Sequence, residues 1–84
     1  MNNTRTTPRS KHIDRHIGTR LRELRAINGL SQKQLARELG VSFQQVQKYE
    51  QGTNRISASR LWEISEVMDV APGTFFDGLF AELD

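Results

Sequence analysis

The chain contains no cysteine, which excludes a disulfide framework and a cysteine-ligated zinc site. No apolar run approaches the roughly 20 residues that a membrane-spanning helix requires. Residues 1–11 hold no hydrophobic stretch of the kind a signal peptide needs. A soluble, cytoplasmic protein with no membrane partner is therefore expected. There is no glycine-rich phosphate loop and no Ser/His/Asp grouping in a credible catalytic setting, so no enzyme is expected and no catalytic residue is assigned. His12 and His16 stand four apart, the spacing of a two-histidine metal pair, but no third ligand lies in reach. They read as solvated side chains at the start of a helix, with no metal and no cofactor. The last absence is of one sign of charge: residues 61–84 contain no lysine or arginine.

That final gap gives a bland net charge of +2 a strong polarity. All 12 Lys and Arg lie in residues 1–60, where the acids are Asp14, Glu23, Glu38 and Glu50, so this part carries +8. Residues 61–84 carry −6, from Glu63, Glu66, Asp69, Asp77, Glu82 and Asp84. One end is thus suited to face a polyanion and the other is kept away from it. Eighty-four residues fit one small domain with a modest core.

Residues 1–13 are polar, basic and without periodicity, and are expected to form a flexible arm. Helix 1 is expected to start at Asp14 as N-cap, to bury Ile17, Leu21 and Leu24, and to stop at Asn28-Gly29. Ser31 and Gln34 have capping-box spacing at the start of helix 2, whose inner face is Leu35, Ala36 and Leu39. Gly40 supplies a tight turn, with Val41 as an apolar plug beneath it. Ser42 and Gln45 repeat the box for helix 3, which stops at Gly52. Two short capped helices separated by Gly-Val outline a helix-turn-helix, and the small Ala36 allows them to cross closely. Ser57 caps helix 4, with Leu61, Ile64 and Met68 inward and Trp62 on the flank. Pro72 opens a fifth helix, on which Phe76, Leu79, Phe80 and Leu83 share a face, weakened by Gly78 at about 1 kcal/mol. The expected fold is all-α, five helices, with a domain over 14–77 and an apolar, acidic tail over 78–84.

Helix 3 carries the functional signal. At 100° per residue, Val46 and Tyr49 face the core while Gln44, Lys48 and Gln51 face outward, with Gln47 beside them and Phe43 at the N-terminal edge. Glutamine pairs bidentately with adenine N6 and N7, lysine donates to guanine O6 and N7, and a phenyl ring packs on thymine methyls. Glutamine is also a common surface residue, so this face alone is equally an ordinary solvated one. The glycine turn, the two caps and the charge split decide for base reading by Phe43, Gln44, Gln47 and Lys48. Glu50 would repel phosphate if it pointed outward, but its angle turns it inward, where it needs a cation. Arg25, four residues after Leu21 on helix 1, is the candidate for a structural ion pair.

The segments Gly29-Leu-Ser-Gln-x-x-Leu-Ala36, Gly40-Val-Ser and Val46-x-x-Tyr-Glu50-x-Gly52 resemble the lambda-repressor-like, Xre/Cro-type helix-turn-helix family of short bacterial or phage transcriptional regulators. The likeness runs from about residue 14 to residue 77. It implies a phosphate-gripping role for Gln32, base reading by Phe43, Gln44 and Lys48, and backbone contacts from Gln51, Asn54 and Arg55. It also implies the Arg25–Glu50 pair reached above from the residues. Phe43 stands where the family often has a polar residue, and Ile56 where proline is frequent.

These readings converge on a sequence-specific regulator, a repressor in the first instance, that binds palindromic double-stranded DNA as a homodimer. Phe76, Leu79, Phe80 and Leu83 exceed what so small a core can hide and are assigned to dimerisation, the alternative being that the tail, with Phe75 and Phe76 first, folds back on its own domain. No small-molecule effector is expected. The rival is an antitoxin or antirepressor acting through a protein partner, for which the apolar tail would be the contact. The polar outer face of helix 3 counts against that rival.

Overall fold

The computed structural model describes residues 7–83. In order they form α1 (Pro8–Ile27), α2 (Gln32–Leu39), α3 (Phe43–Gln51), α4 (Ala58–Met68), a 3-10 turn (Pro72–Phe76) and α5 (Leu79–Leu83), with no strand among the described residues. The architecture is the five-helix, all-α fold expected.

Helix 1 starts earlier than its apolar pattern implies. Thr7 is the N-cap, its side chain accepting from the Ser10 N–H while the Ser10 side chain accepts from the Thr7 N–H, and Pro8 takes the first helical position. Asp14, expected as the cap, lies a turn and a half inside the helix. The basic segment 8–13 is therefore the first part of α1 rather than an arm, and residues 1–6 lie outside the described region. The polar composition of 8–13 hides this extension, since no apolar residue marks a face there.

The next two helices follow their capping residues. Ser31 and Gln34 close a reciprocal capping box on α2, and Gly40 takes the left-handed φ of 70° at its end. Ser42 accepts from the Gln45 N–H, but the reciprocal half from the Gln45 side chain is not made, so this cap is one-sided. α3 ends at Gly52, with φ 74°.

The buried apolar core comprises Leu21, Leu24, Leu35, Ala36, Val46, Tyr49, Ile64, Met68 and Phe75, with Ile17, Leu39, Val41 and Leu61 packed around it. α3 lies against both α1 and α2. Its crossing with α1 is close because Gly18 has no side chain: a Cβ there would lie 2.3 Å from the Tyr49 carbonyl oxygen and 2.7 Å from that of Glu50. Gly52 repeats the device at the end of α3, where a Cβ would meet the Arg15 Cα at 2.7 Å. Two backbone-to-backbone contacts thus fix α3 along α1.

The C-terminal end departs from the expected single helix. Phe75 is fully buried and anchors the 3-10 turn on the core, but the backbone breaks at Asp77 and Gly78, with φ 85° at the glycine. Phe76 therefore does not share a helical face with Leu79, Phe80 and Leu83. Phe76 is exposed, Leu79 half-buried and Phe80 82% exposed, while the Leu83 side chain lies outside the described region. His16 is buried rather than solvated, its Nε2 at 2.8 Å from the Asp77 carbonyl oxygen, which ties α1 to this break.

Candidate nucleic-acid interface

Glu50 organises the site from beneath. Its side chain is only 4% exposed, and Arg25 donates to it from Nε at 2.6 Å and from Nη2 at 3.2 Å. A third donor, which the sequence reading did not place there, is the Gln32 Nε2 at 2.9 Å. The remaining Arg25 nitrogen, Nη1, donates to the Leu30 carbonyl at 2.8 Å. One buried carboxylate therefore joins α1, the first residue of α2 and α3, and every nitrogen of its guanidinium partner is used. A buried pair of this kind contributes little net stability compared with apolar residues of the same volume. What it fixes is orientation: α3 cannot rotate without stranding a charge.

With Val46, Tyr49 and Glu50 held inward, the other side of α3 is determined. Gln44, Lys48 and Gln51 are exposed, and Gln47 is half-buried. Among the described residues none of these four side chains makes a hydrogen bond or ion pair. Their donors and acceptors are thus available to an external partner, on a helix with a fixed rotational setting. Phe43 is different: it is half-buried against the core, and the Lys33 ammonium lies 5.5 Å from its ring centroid. This is a cation–π contact between α2 and α3. Its ring is a packing element first, with limited area left for a partner.

The loop after α3 folds onto its last turn. The Lys48 carbonyl accepts from the N–H groups of Thr53 and Asn54 and from the Thr53 hydroxyl, which places Asn54, half-buried, beside the end of the outward row. Arg55 donates from Nε to both carboxylate oxygens of Asp14, at 3.2 and 3.3 Å, so its charge is shared with α1. Gln32, expected to grip a phosphate, has its amide engaged by Glu50 and sits at the lip of an open cleft of about 410 Å³. Arg22, Arg25, Gln47, Glu50 and Gln51 line the rest of it. The structure thus brings Gln32, Gln47, Gln51 and the Arg25–Glu50 pair together, with Gln44 and Lys48 along the same helix. Phe76, Leu79 and Phe80 belong to the acidic C-terminal end.

Two further features were not anticipated. Gly18 carries no positive φ, and its only signal is a glycine inside an otherwise regular helical stripe. The Gln32–Glu50 bond has no local signature, because its partners are separated by 18 residues. Among the described residues no group of three metal-ligating side chains could hold an ion, and no helix is long and apolar enough to cross a membrane.

Residues 21–75 match the profile of a helix-turn-helix family. A transcriptional regulator in the ATPase CF(0) region of Rhodospirillum rubrum is 53% identical over 68 residues, which are 81% of this chain and 63% of that protein. A helix-turn-helix-type transcriptional regulator of Sinorhizobium medicae is 51% identical over 65 residues, 77% of this chain and 47% of its own length. The chain therefore spans about half to five-eighths of these relatives. Among solved structures, the restriction-modification controller protein C.AhdI from Aeromonas hydrophila superposes with a TM-score of 0.70 at 34% identity, covering 74% of this chain and 94% of that one.

Proposed function

The chain belongs to the Xre/lambda-repressor-like helix-turn-helix family, and from that premise we propose that it is a sequence-specific transcriptional repressor binding a palindromic operator as a homodimer. The observation that carries the reading is the row of Gln44, Lys48 and Gln51, exposed and unengaged on a helix whose opposite face is locked by Glu50. Side chains with free donors on a rigid helix are what major-groove readout requires. Gln44 and Lys48 read bases, with Gln47 beside them and Phe43 restricted to apolar contact. Gln32, Gln51, Asn54 and Arg55 hold the phosphate backbone, Arg55 by exchanging Asp14 for phosphate or sharing itself between them. One such face spans few base pairs, and dimers of this motif read half-sites about one helical turn apart. The exposed Phe76 and Phe80, with Leu79 and Leu83, supply the seam, at the end of the molecule whose negative charge keeps it off DNA.

Base reading is tested by substitution on a duplex selected from a random pool. Gln44→Ala and Lys48→Ala are each expected to cost about 1–3 kcal/mol of specific affinity and to relax preference at one position. Equal weakening on selected and scrambled duplexes would show that these residues do not read sequence.

A further inference from the structure

We propose that Arg22, on α1, is the cation of a phosphodiester cradle beside the recognition helix, completed by the amides of Gln32 and Gln51. The inference rests on the DNA-binding reading above and adds to it a residue from outside the helix-turn-helix. Gly18 sets α1 directly against the Tyr49 and Glu50 carbonyls, so the residues one and two turns further on flank the C-terminal half of α3. Arg25 turns inward to Glu50. Arg22 stays exposed and lines the same cleft as Gln32, Gln47 and Gln51.

Charge selects the ligand. Within the cleft Arg25 and Glu50 cancel at 2.6 Å, which leaves Arg22 as its net charge. Arg20 is paired with Glu23, Arg55 with Asp14, and Arg60 with Glu63, while Arg9, Arg15 and Arg37 do not line the cleft. Glu23, the acid adjacent to Arg22 in sequence, is thus already engaged by Arg20. Arg22 has no ion pair or hydrogen bond among the described residues. A single guanidinium ringed by neutral amides suits an anion of one negative charge with several acceptor oxygens, and a backbone phosphate has that character. The cleft is open and adjoins the outward row of α3, so a strand running past Gln51 brings its phosphates to this point.

The test compares the full chain with Arg22→Gln and Arg22→Lys on a selected duplex and on a scrambled one, each across a chloride series. One lost phosphate contact lowers the salt slope by about 0.9, which is about eightfold in affinity at 0.1 M salt. Arg22→Gln is expected to show that loss on both duplexes, and Arg22→Lys to keep the slope. Replacing each backbone phosphate in turn by a neutral methylphosphonate should reveal one position that weakens the wild type and leaves Arg22→Gln unaffected. Wild-type binding with an unaltered slope in Arg22→Gln, and no such position, would overturn the cradle alone. Absence of duplex binding by the wild type would remove the underlying reading as well. Saturable shifts of the Arg22 side-chain resonances on titration with inorganic phosphate would assign the cleft to a small anion instead.

Discussion

At the residue scale the decisive group is Glu50, a carboxylate on the helix proposed to approach phosphate. Its periodicity turns it inward and its charge demands a cation, and both facts are visible in the sequence together with Arg25. The third partner is not, because Gln32 reaches it across 18 residues with no local pattern to announce the contact. Arg55 shows the opposite limit. A loop arginine after a recognition helix reads as a phosphate ligand, yet its nearest anion is Asp14 of α1, 41 residues away. Glu50→Ala strands Arg25, whose side chain is 15% exposed, and is expected to destabilise by about 3–5 kcal/mol. Replacing both partners, as Arg25→Met with Glu50→Leu, is expected to recover most of that loss. Urea unfolding of the three proteins measures it. Equal losses in the single and double variants would show that no charge is stranded.

At the element scale, capping chemistry was the most legible part of the chain. Ser31, Ser42 and Ser57 cap α2, α3 and α4 at the positions their side chains imply. The start of α1 is hidden because Asp14 is also a good cap by type, and the Thr7-Pro8-x-Ser10 signal precedes a segment with no apolar stripe. The break at the C-terminal end is hidden for a related reason. Apolar residues at 76, 79, 80 and 83 fit a helix, but Gly78 adopts φ 85° and ends that periodicity. The α1–α3 crossing depends on Gly18, where an added Cβ meets backbone oxygen that cannot rotate away. Gly18→Ala is expected to cost about 1–3 kcal/mol as an overpacked contact, against less than about 0.5 kcal/mol for Gly73→Ala, which meets nothing within 4 Å. Thermal unfolding distinguishes them, since about 1 kcal/mol shifts the midpoint by about 4–8 °C in a domain of this size. Matching midpoints would mean that the two helices can separate without cost.

At the scale of the whole molecule, charge divides along the chain, and most of the exposed large apolar side chains, Trp62, Phe76 and Phe80 but not Ile27, lie in the acidic part. The basic residues 1–60 carry the helix-turn-helix and its cleft, while residues 61–84, at −6, carry Phe76 and Phe80. In the proposed dimer, an acidic seam held away from DNA would let two copies join without masking either recognition helix. Removing residues 79–84, or substituting Phe80→Ser, is expected to yield monomers by sedimentation equilibrium and to weaken operator binding more than binding to a half-site. Dimers that persist in both variants would place the seam elsewhere. The central claim is sequence-specific recognition by α3 in a paired molecule, and selection of bound duplexes from a random pool tests it most directly. The expected result is a palindrome with half-sites about one helical turn apart, whose preference changes at one position per half-site in Gln44→Ala. A pool that shows no enriched sequence after repeated selection would contradict it.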